Sequence, residues 1–368
     1  MLNQIHCSNP SIENNFIRSE LEIAVKEVIN SGKYILGEQV EYFEKEFASY
    51  LKTQFCIGVN SGTDALAIAL KSLEIGFGDE VIIPSHTAVA TASAVFSTGA
   101  TVVFADVSET SMTIDPDSVS KLINTKTKAV IAVHLYGYPC ELDQLNAICK
   151  QNGIFLLEDC AQAHGAEYMG NKVGTFGIFG CFSFYPTKNL GAIGDGGAIV
   201  TSDVELYRKC VALRQYGWNS DRTSILNSTV SRLDEIQAAI LRVKLKYLDS
   251  NNQRRIEIAQ QYRSSLNIET FIMPPESNQA KHVFHLFVIR INNRDKFICE
   301  LEKSGIFPGI HYPKPVHMHP AFQKFYSKDR MLLKNTEILS EKILSLPMYP
   351  GLTEVEVSRV IEGIKSVR

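Results

Sequence analysis

Nowhere does the sequence stay apolar for the roughly 18–20 residues that a bilayer-spanning helix needs, so no membrane span is expected. Neither sign of charge dominates. With 37 Lys and Arg against 40 Asp and Glu, the net charge of −3 gives no general attraction to nucleic acid or anionic lipid. The first residues, Met1-Leu2-Asn3-Gln4-Ile5-His6, lack the basic and apolar regions of a secretory signal, and a cytoplasmic setting is expected. The eight cysteines are scattered and none forms a C-x-x-C pair; those inside apolar segments read as small hydrophobes. The nine histidines show no metal-ligand spacing. Their nearest approach to a cluster, His311, His317 and His319, lacks cysteine or carboxylate partners, so no metal is expected. No G-x-G-x-x-G follows the first strand-like segment, which counts against a dinucleotide.

What is present is an alternation. Strand-like segments at 55–59, 80–83, 101–104, 128–134, 154–158, 178–184 and 197–201 are separated mostly by helix-length stretches. That order predicts an α/β fold with a mainly parallel sheet covered on both faces. Two helices precede it, at 18–31 and 37–50. After Ser202 the chain turns helical, at 204–216, 233–248 and 253–266. A strand at 285–291, a helix at 294–304, a Pro-rich loop at 307–320 and a last helix near 353–367 suggest a smaller α+β domain. The expected division is 1–248 for the N-terminal segment and large domain and 249–368 for the small one; 368 residues are ample for both cores.

Three segments carry chemistry. In Phe182-Ser183-Phe184-Tyr185-Pro186-Thr187-Lys188-Asn189-Leu190-Gly191, a strand is broken by Pro186 and passes Lys188 into a glycine-rich loop. A lysine so held is shielded from water, which disfavours its ammonium form and frees the amine as a nucleophile toward an aldehyde; a surface hairpin lysine is the plain alternative. Upstream, Ile154-Phe155-Leu156-Leu157-Glu158-Asp159 is an apolar strand ending in a carboxylate, either a site residue or a helix N-cap. Further upstream, the strand Phe55–Val59 runs into Asn60-Ser61-Gly62-Thr63-Asp64, a turn whose following helix offers free amides to an anion such as phosphate. Lysine, carboxylate and phosphate cradle are together what pyridoxal phosphate requires.

These residues stand in segments that resemble the DegT/DnrJ/EryC1/StrS sugar-nucleotide aminotransferases: NSGTDAL, GDEVIIPSHT, VHLYGYP, LEDCAQAHGA, FSFYPTKNLGAIGDGGAIVT, SRLDEIQAAILRVKLKYLD and HYPKPVH, in family order from about residue 16 to the end. The resemblance implies an aspartate aminotransferase-like large domain (fold type I) and pyridoxal 5'-phosphate as cofactor. It implies that Lys188 forms the Schiff base and shuttles the proton, and that Asp159 pairs with the pyridinium nitrogen. Gln162 would meet the phenolic oxygen, Ala161 one ring face and His86 the other. Gly62, Thr63 and Ser183 would bind the phosphate. The family's asparagine that reaches the neighbouring subunit's phosphate is replaced by Val230, which leaves Asn227, Ser228 and Thr229 as substitutes. Tyr216, His311, Tyr312 and His317 would contact substrate, although a Pro-rich loop with aromatic side chains is equally a structural element. The implied reaction takes the amino group of L-glutamate to a nucleotide-linked keto sugar, within a homodimer whose active sites lie at the interface. The segments ATASAVFSTGA and AAILRVKLKYLD lean toward C3 of a dTDP-3-oxo-6-deoxyhexose, with C4 of a dTDP- or UDP-4-keto sugar as the alternative. Dehydratases of the family carry histidine in place of the lysine, so Lys188 speaks against that chemistry. A non-catalytic regulatory protein is the rival from another class.

Overall fold

The computed structural model describes residues 4–266 and 271–367. Seven strands form the main sheet: β1 (Phe55–Val59), β2 (Glu80–Pro84), β3 (Thr101–Ala105), β4 (Thr127–Val133), β5 (Phe155–Asp159), β6 (Phe179–Ser183) and β7 (Gly197–Thr201). Their spatial order is β1-β7-β6-β5-β4-β2-β3, and every pairing is parallel except those of β7, which runs antiparallel to both neighbours. Val81, Ile82 and Ile83, like Val102 and Val103, are fully or almost fully buried, because helices cover both faces of the sheet.

Helix α1 (Arg18–Ser31) leads into α2 (Glu38–Leu51), whose Phe43 and Phe47 are buried against the sheet. Phe47 meets Phe182 edge-on at 5.0 Å and Phe184 at 5.6 Å, an arrangement aromatic rings favour. Helix α3 (Gly62–Ser72) follows β1 directly, and α4 (Val89–Ser97) follows the loop after β2. Beyond the sheet run α5 (Val204–Leu213), α6 (Glu235–Leu245) and α7 (Leu248–Ser265).

Two details depart from the expected elements. Helix α7 begins at Leu248 rather than near 253, because Leu248 is buried and the polar run Ser250-Asn251-Asn252 continues the helix, with the Asn252 amide bonded inside the protein. Near the start of the chain, Ile5-His6 forms a short parallel strand with Ile306-Phe307, and Ile5 is buried in an apolar cluster with Tyr262, Phe287 and Leu344. Ile5 and His6 therefore pack with C-terminal elements, away from the main sheet.

Candidate active site

The C-terminal ends of β1, β5 and β6 point to one edge of the sheet, where β7 also begins. A cavity of about 340 Å³ opens at this edge, lined among others by Gly62, Thr63, Asp159, Gln162, Ser183 and Lys188. Ligands of open α/β sheets lie at that end because the loops and helix N-termini converge there.

The floor is built by close backbone approach. Ser61 caps α3, its hydroxyl accepting from the Asp64 amide at 3.1 Å, so the amides of Gly62 and Thr63 remain among the helix's N-terminal donors without intrahelical partners. A Cβ on Gly62 would sit 2.7 Å from that of Ser183, and one on Gly197 would sit 2.4 Å from the backbone of Ser61. The cradle is thus shaped by missing side chains, which suits an anion held by amides.

Lys188 projects from a coil fixed by its own amide donating to the Tyr185 carbonyl at 2.8 Å and by Ala192 donating to Phe184 at 2.8 Å. What surface the lysine keeps faces the cavity. Burial pushes its amine down to about 8, only partly countered by Asp159. Asp159 is itself buried, and burial raises its carboxyl above the usual range, opposed by hydrogen bonds from the Ala161 amide (3.1 Å to Oδ1) and the Thr91 hydroxyl (2.9 Å to Oδ2). Thr91 in turn lies 3.1 Å from the Thr87 hydroxyl. Gln162 accepts from the Tyr136 amide at 2.7 Å and donates to the Tyr312 hydroxyl at 3.0 Å.

Burial also holds the neighbouring imidazoles neutral. It pushes His311 down to about 4 and His164 to about 3, with Lys188 adding to both effects. On the far face of β5, Glu158 accepts from the amides of Gly174, Phe176 and Gly177 and sits 3.0 Å from His134 Nε2. His134 Nδ1 accepts from the Cys140 amide. The side chains of His134 and Glu158 are thus engaged in hydrogen bonds that anchor the strand carrying Asp159.

Of the residues singled out in the sequence, Gly62, Thr63, Asp159, Gln162, Ser183, Lys188, His311 and Tyr312 line one cavity. Ala161 lines it too, while the remaining candidates lie outside its lining. His86 is buried behind it, 2.6 Å from the Tyr136 hydroxyl, and Ala88 rather than His86 reaches the lining. His317 is buried against Ser85, its Nδ1 2.5 Å from the hydroxyl. Tyr216 is partly exposed and its ring lies 4.9 Å from that of Trp218, tilted by 43°. Asn227 borders a separate cavity with Lys71 and Lys209. The sequence reading passed over Thr91 and His285. The Thr87-x-x-x-Thr91 spacing at a helix start was the available sign for the first; His285, within an apolar segment read as strand, carried none.

The fold agrees with what the chain is similar to. The DegT/DnrJ/EryC1/StrS aminotransferase family model matches residues 15–365. The dTDP-3-amino-3,4,6-trideoxy-alpha-D-glucose transaminase of Streptomyces venezuelae is 43% identical over 350 residues, 95% of this chain and 92% of that protein. The crystal structure of S. venezuelae DesV in complex with a ketimine intermediate matches with a TM-score of 0.96 at 42% identity, covering 99% of this chain and 98% of that one. The structure of NtdA from Bacillus subtilis with bound cofactor PMP gives a TM-score of 0.93 at 30% identity, covering 100% of this chain and 86% of that one.

Proposed function

Because the chain belongs to the DegT/DnrJ/EryC1/StrS aminotransferase family, we propose that it transfers the amino group of L-glutamate to C3 of a dTDP-linked 3-oxo-6-deoxyhexose. The class and the cofactor are those of the family: a pyridoxal-phosphate-dependent aminotransferase. The observation that carries the sugar assignment is the 43% identity, over nearly the whole chain, to a transaminase named for a dTDP 3-amino sugar. A cytoplasmic setting belongs to the same reading.

The cavity fits the cofactor on its own terms, with a side-chain-free cradle at a helix N-terminus, a lysine of lowered basicity and a buried carboxylate. The amides of Gly62 and Thr63 and the hydroxyl of Ser183 would hold the phosphate, and Asp159 the ring nitrogen. Gln162 would hold the phenolic oxygen. Pyridoxal phosphate supplies an aldehyde that captures amines and a protonated ring that draws off electrons from the adjoining carbon. Lys188 supplies the base: an amine near 8 accepts a proton at Nζ and gives it back close to neutral pH. Thr91 and Ala161 keep the Asp159 carboxyl aimed, and their hydrogen bonds oppose the push that burial gives it toward the neutral acid. Tyr312, hydrogen-bonded to Gln162, and His311 close the cavity from the C-terminal part of the chain, where they would exclude water and meet the sugar.

The working form in this reading is a homodimer. A groove between α1 and the lysine loop is lined by Leu21, Val25, Ile29 and Ile193, of which Ile29 and Ile193 are 55% and 50% exposed. Apolar surface of that kind beside a catalytic loop suits a second copy of the chain. The loop carrying Asn227 would then serve the neighbouring subunit.

The test is incubation of the cofactor-loaded protein with glutamate and a panel of dTDP- and UDP-keto sugars, read by mass spectrometry and by NMR of the product. A 3-amino dTDP sugar is expected. A 4-amino product would move the carbon, and no amino sugar from any member of the panel would overturn the substrate class.

A further inference from the structure

A chain of amides and carbonyls fixes the protonation of an imidazole beside Lys188. Asn252 donates its Nδ2 to the His164 carbonyl at 2.8 Å, so its Oδ1 is an acceptor, and it receives Asn189 Nδ2 at 2.8 Å. Asn189 Nδ2 also donates to the Val283 carbonyl at 3.1 Å. Its Oδ1 must therefore accept, and the group facing it at 3.1 Å is His285 Nδ1. His285 thus carries its hydrogen on Nδ1, and Nε2 is left with a lone pair. His285 lines the same cavity as Lys188, and Nε2 has no protein hydrogen-bond partner among the described residues.

We propose that His285 is a further functional residue of the site, presenting a bare Nε2 that accepts a hydrogen bond from an amine N–H. The reaction brings two amines to this cavity, the amino donor and the side chain of Lys188, and an acceptor in its wall orients either lone pair toward the reacting carbon. Burial, with Lys188 and Arg255 nearby, pushes the imidazole well below its ordinary value, so Nε2 remains an acceptor rather than becoming a competing cation. The same relay ties Asn189, the residue after Lys188, to α7 and to the segment around Val283.

The proposal rests on the aminotransferase reading, and its test separates the two. In ¹⁵N-histidine-labelled protein, the His285 signals, identified by their loss in His285→Asn, are expected to show hydrogen on Nδ1 and none on Nε2. Hydrogen on Nε2 overturns the proposal whatever the enzyme's substrate. His285→Asn keeps a donor toward Asn189 but removes the cavity acceptor. With glutamate as the probe and the cofactor absorbance followed in a single half-reaction, it is expected to lower the second-order rate constant by roughly tenfold. A raised half-saturating glutamate concentration identifies the donor amine as the partner; a slowed limiting rate identifies Lys188. His285→Gln, which returns an acceptor oxygen near the Nε2 position, is expected to recover part of the loss. A rate within twofold of wild type for His285→Asn overturns the proposal. Wild-type protein that fails to respond to glutamate would instead remove the donor assignment, and the position of the imidazole hydrogen would still decide the role of His285.

Discussion

The Thr91 hydroxyl donates to Oδ2 of Asp159 at 2.9 Å from the first turn of α4, while the other carboxylate oxygen is held by the Ala161 amide. A buried carboxylate that loses such a donor costs about 1.5–3 kcal/mol. Thr91→Val is therefore expected to weaken pyridoxal phosphate binding by about tenfold or more, with Thr91→Ser close to wild type, as read by absorbance titration. Equal affinities for all three proteins would show that the contact does not support Asp159.

Lys188→Ala is expected to fold and to bind cofactor reversibly, yet to form no amino sugar above background, since among the described residues no other lysine lines the cavity. In cofactor-free wild type, labelling of Lys188 by an amine-selective reagent should rise through a midpoint of about 8 rather than about 10.5. The linkage has a definite sign. Between those values the unfolded chain binds the proton and the folded one does not, so this group makes stability increase with pH across that window. A labelling midpoint near 10.5 would contradict the burial argument.

Gly62→Ala should collapse the cradle, because the new Cβ would lie 2.7 Å from that of Ser183. We expect weaker cofactor binding, weaker competition by inorganic phosphate and a small fall in melting temperature. Unchanged phosphate competition would place the anion somewhere other than the N-terminus of α3.

Phe47→Ala removes a fully buried ring that meets Phe182 and Phe184 edge-on. A loss of about 3–5 kcal/mol is expected from such a truncation. Phe47→Leu should cost less, and denaturant midpoints will rank the two.

Ile193→Asp puts a charge into the groove proposed to receive a second subunit. Sedimentation should then show a shift from dimer toward monomer, with the melting temperature of the folded monomer nearly preserved. A variant as dimeric as wild type would place the interface elsewhere.

Much of this was legible in the residues, and the reasons are physical. Val81-Ile82-Ile83 and Leu156-Leu157 stand in short apolar runs bounded by turn residues, the pattern of interior strands, and a carboxylate at the end of one, as with Asp159, marks the edge where ligands gather. Helix α7 starts five residues before the position its sequence suggests, because Ser250-Asn251-Asn252 has the composition of a loop and only tertiary contact explains why Asn252 lies inside. His86 and His317 could not be told from site residues by spacing, since whether an imidazole faces a cavity or the back of it is decided by packing partners such as Tyr136 and Ser85, far away in sequence. His285 gave no sign because its meaning lies in a tautomer set by Asn189, Asn252 and the carbonyls of His164 and Val283.

The parallel pairing of Ile5 with Ile306 carries a consequence in time. During synthesis the first strand leaves the ribosome roughly 300 residues before its partner exists, which at about 5–20 residues per second is a wait of some 15–60 s. By its end the strands of the sheet and the lysine loop have all been made, while Ile5 has had no partner strand to pair with. Pairing of Ile5 with Ile306 is therefore a late step in folding, one that waits on synthesis.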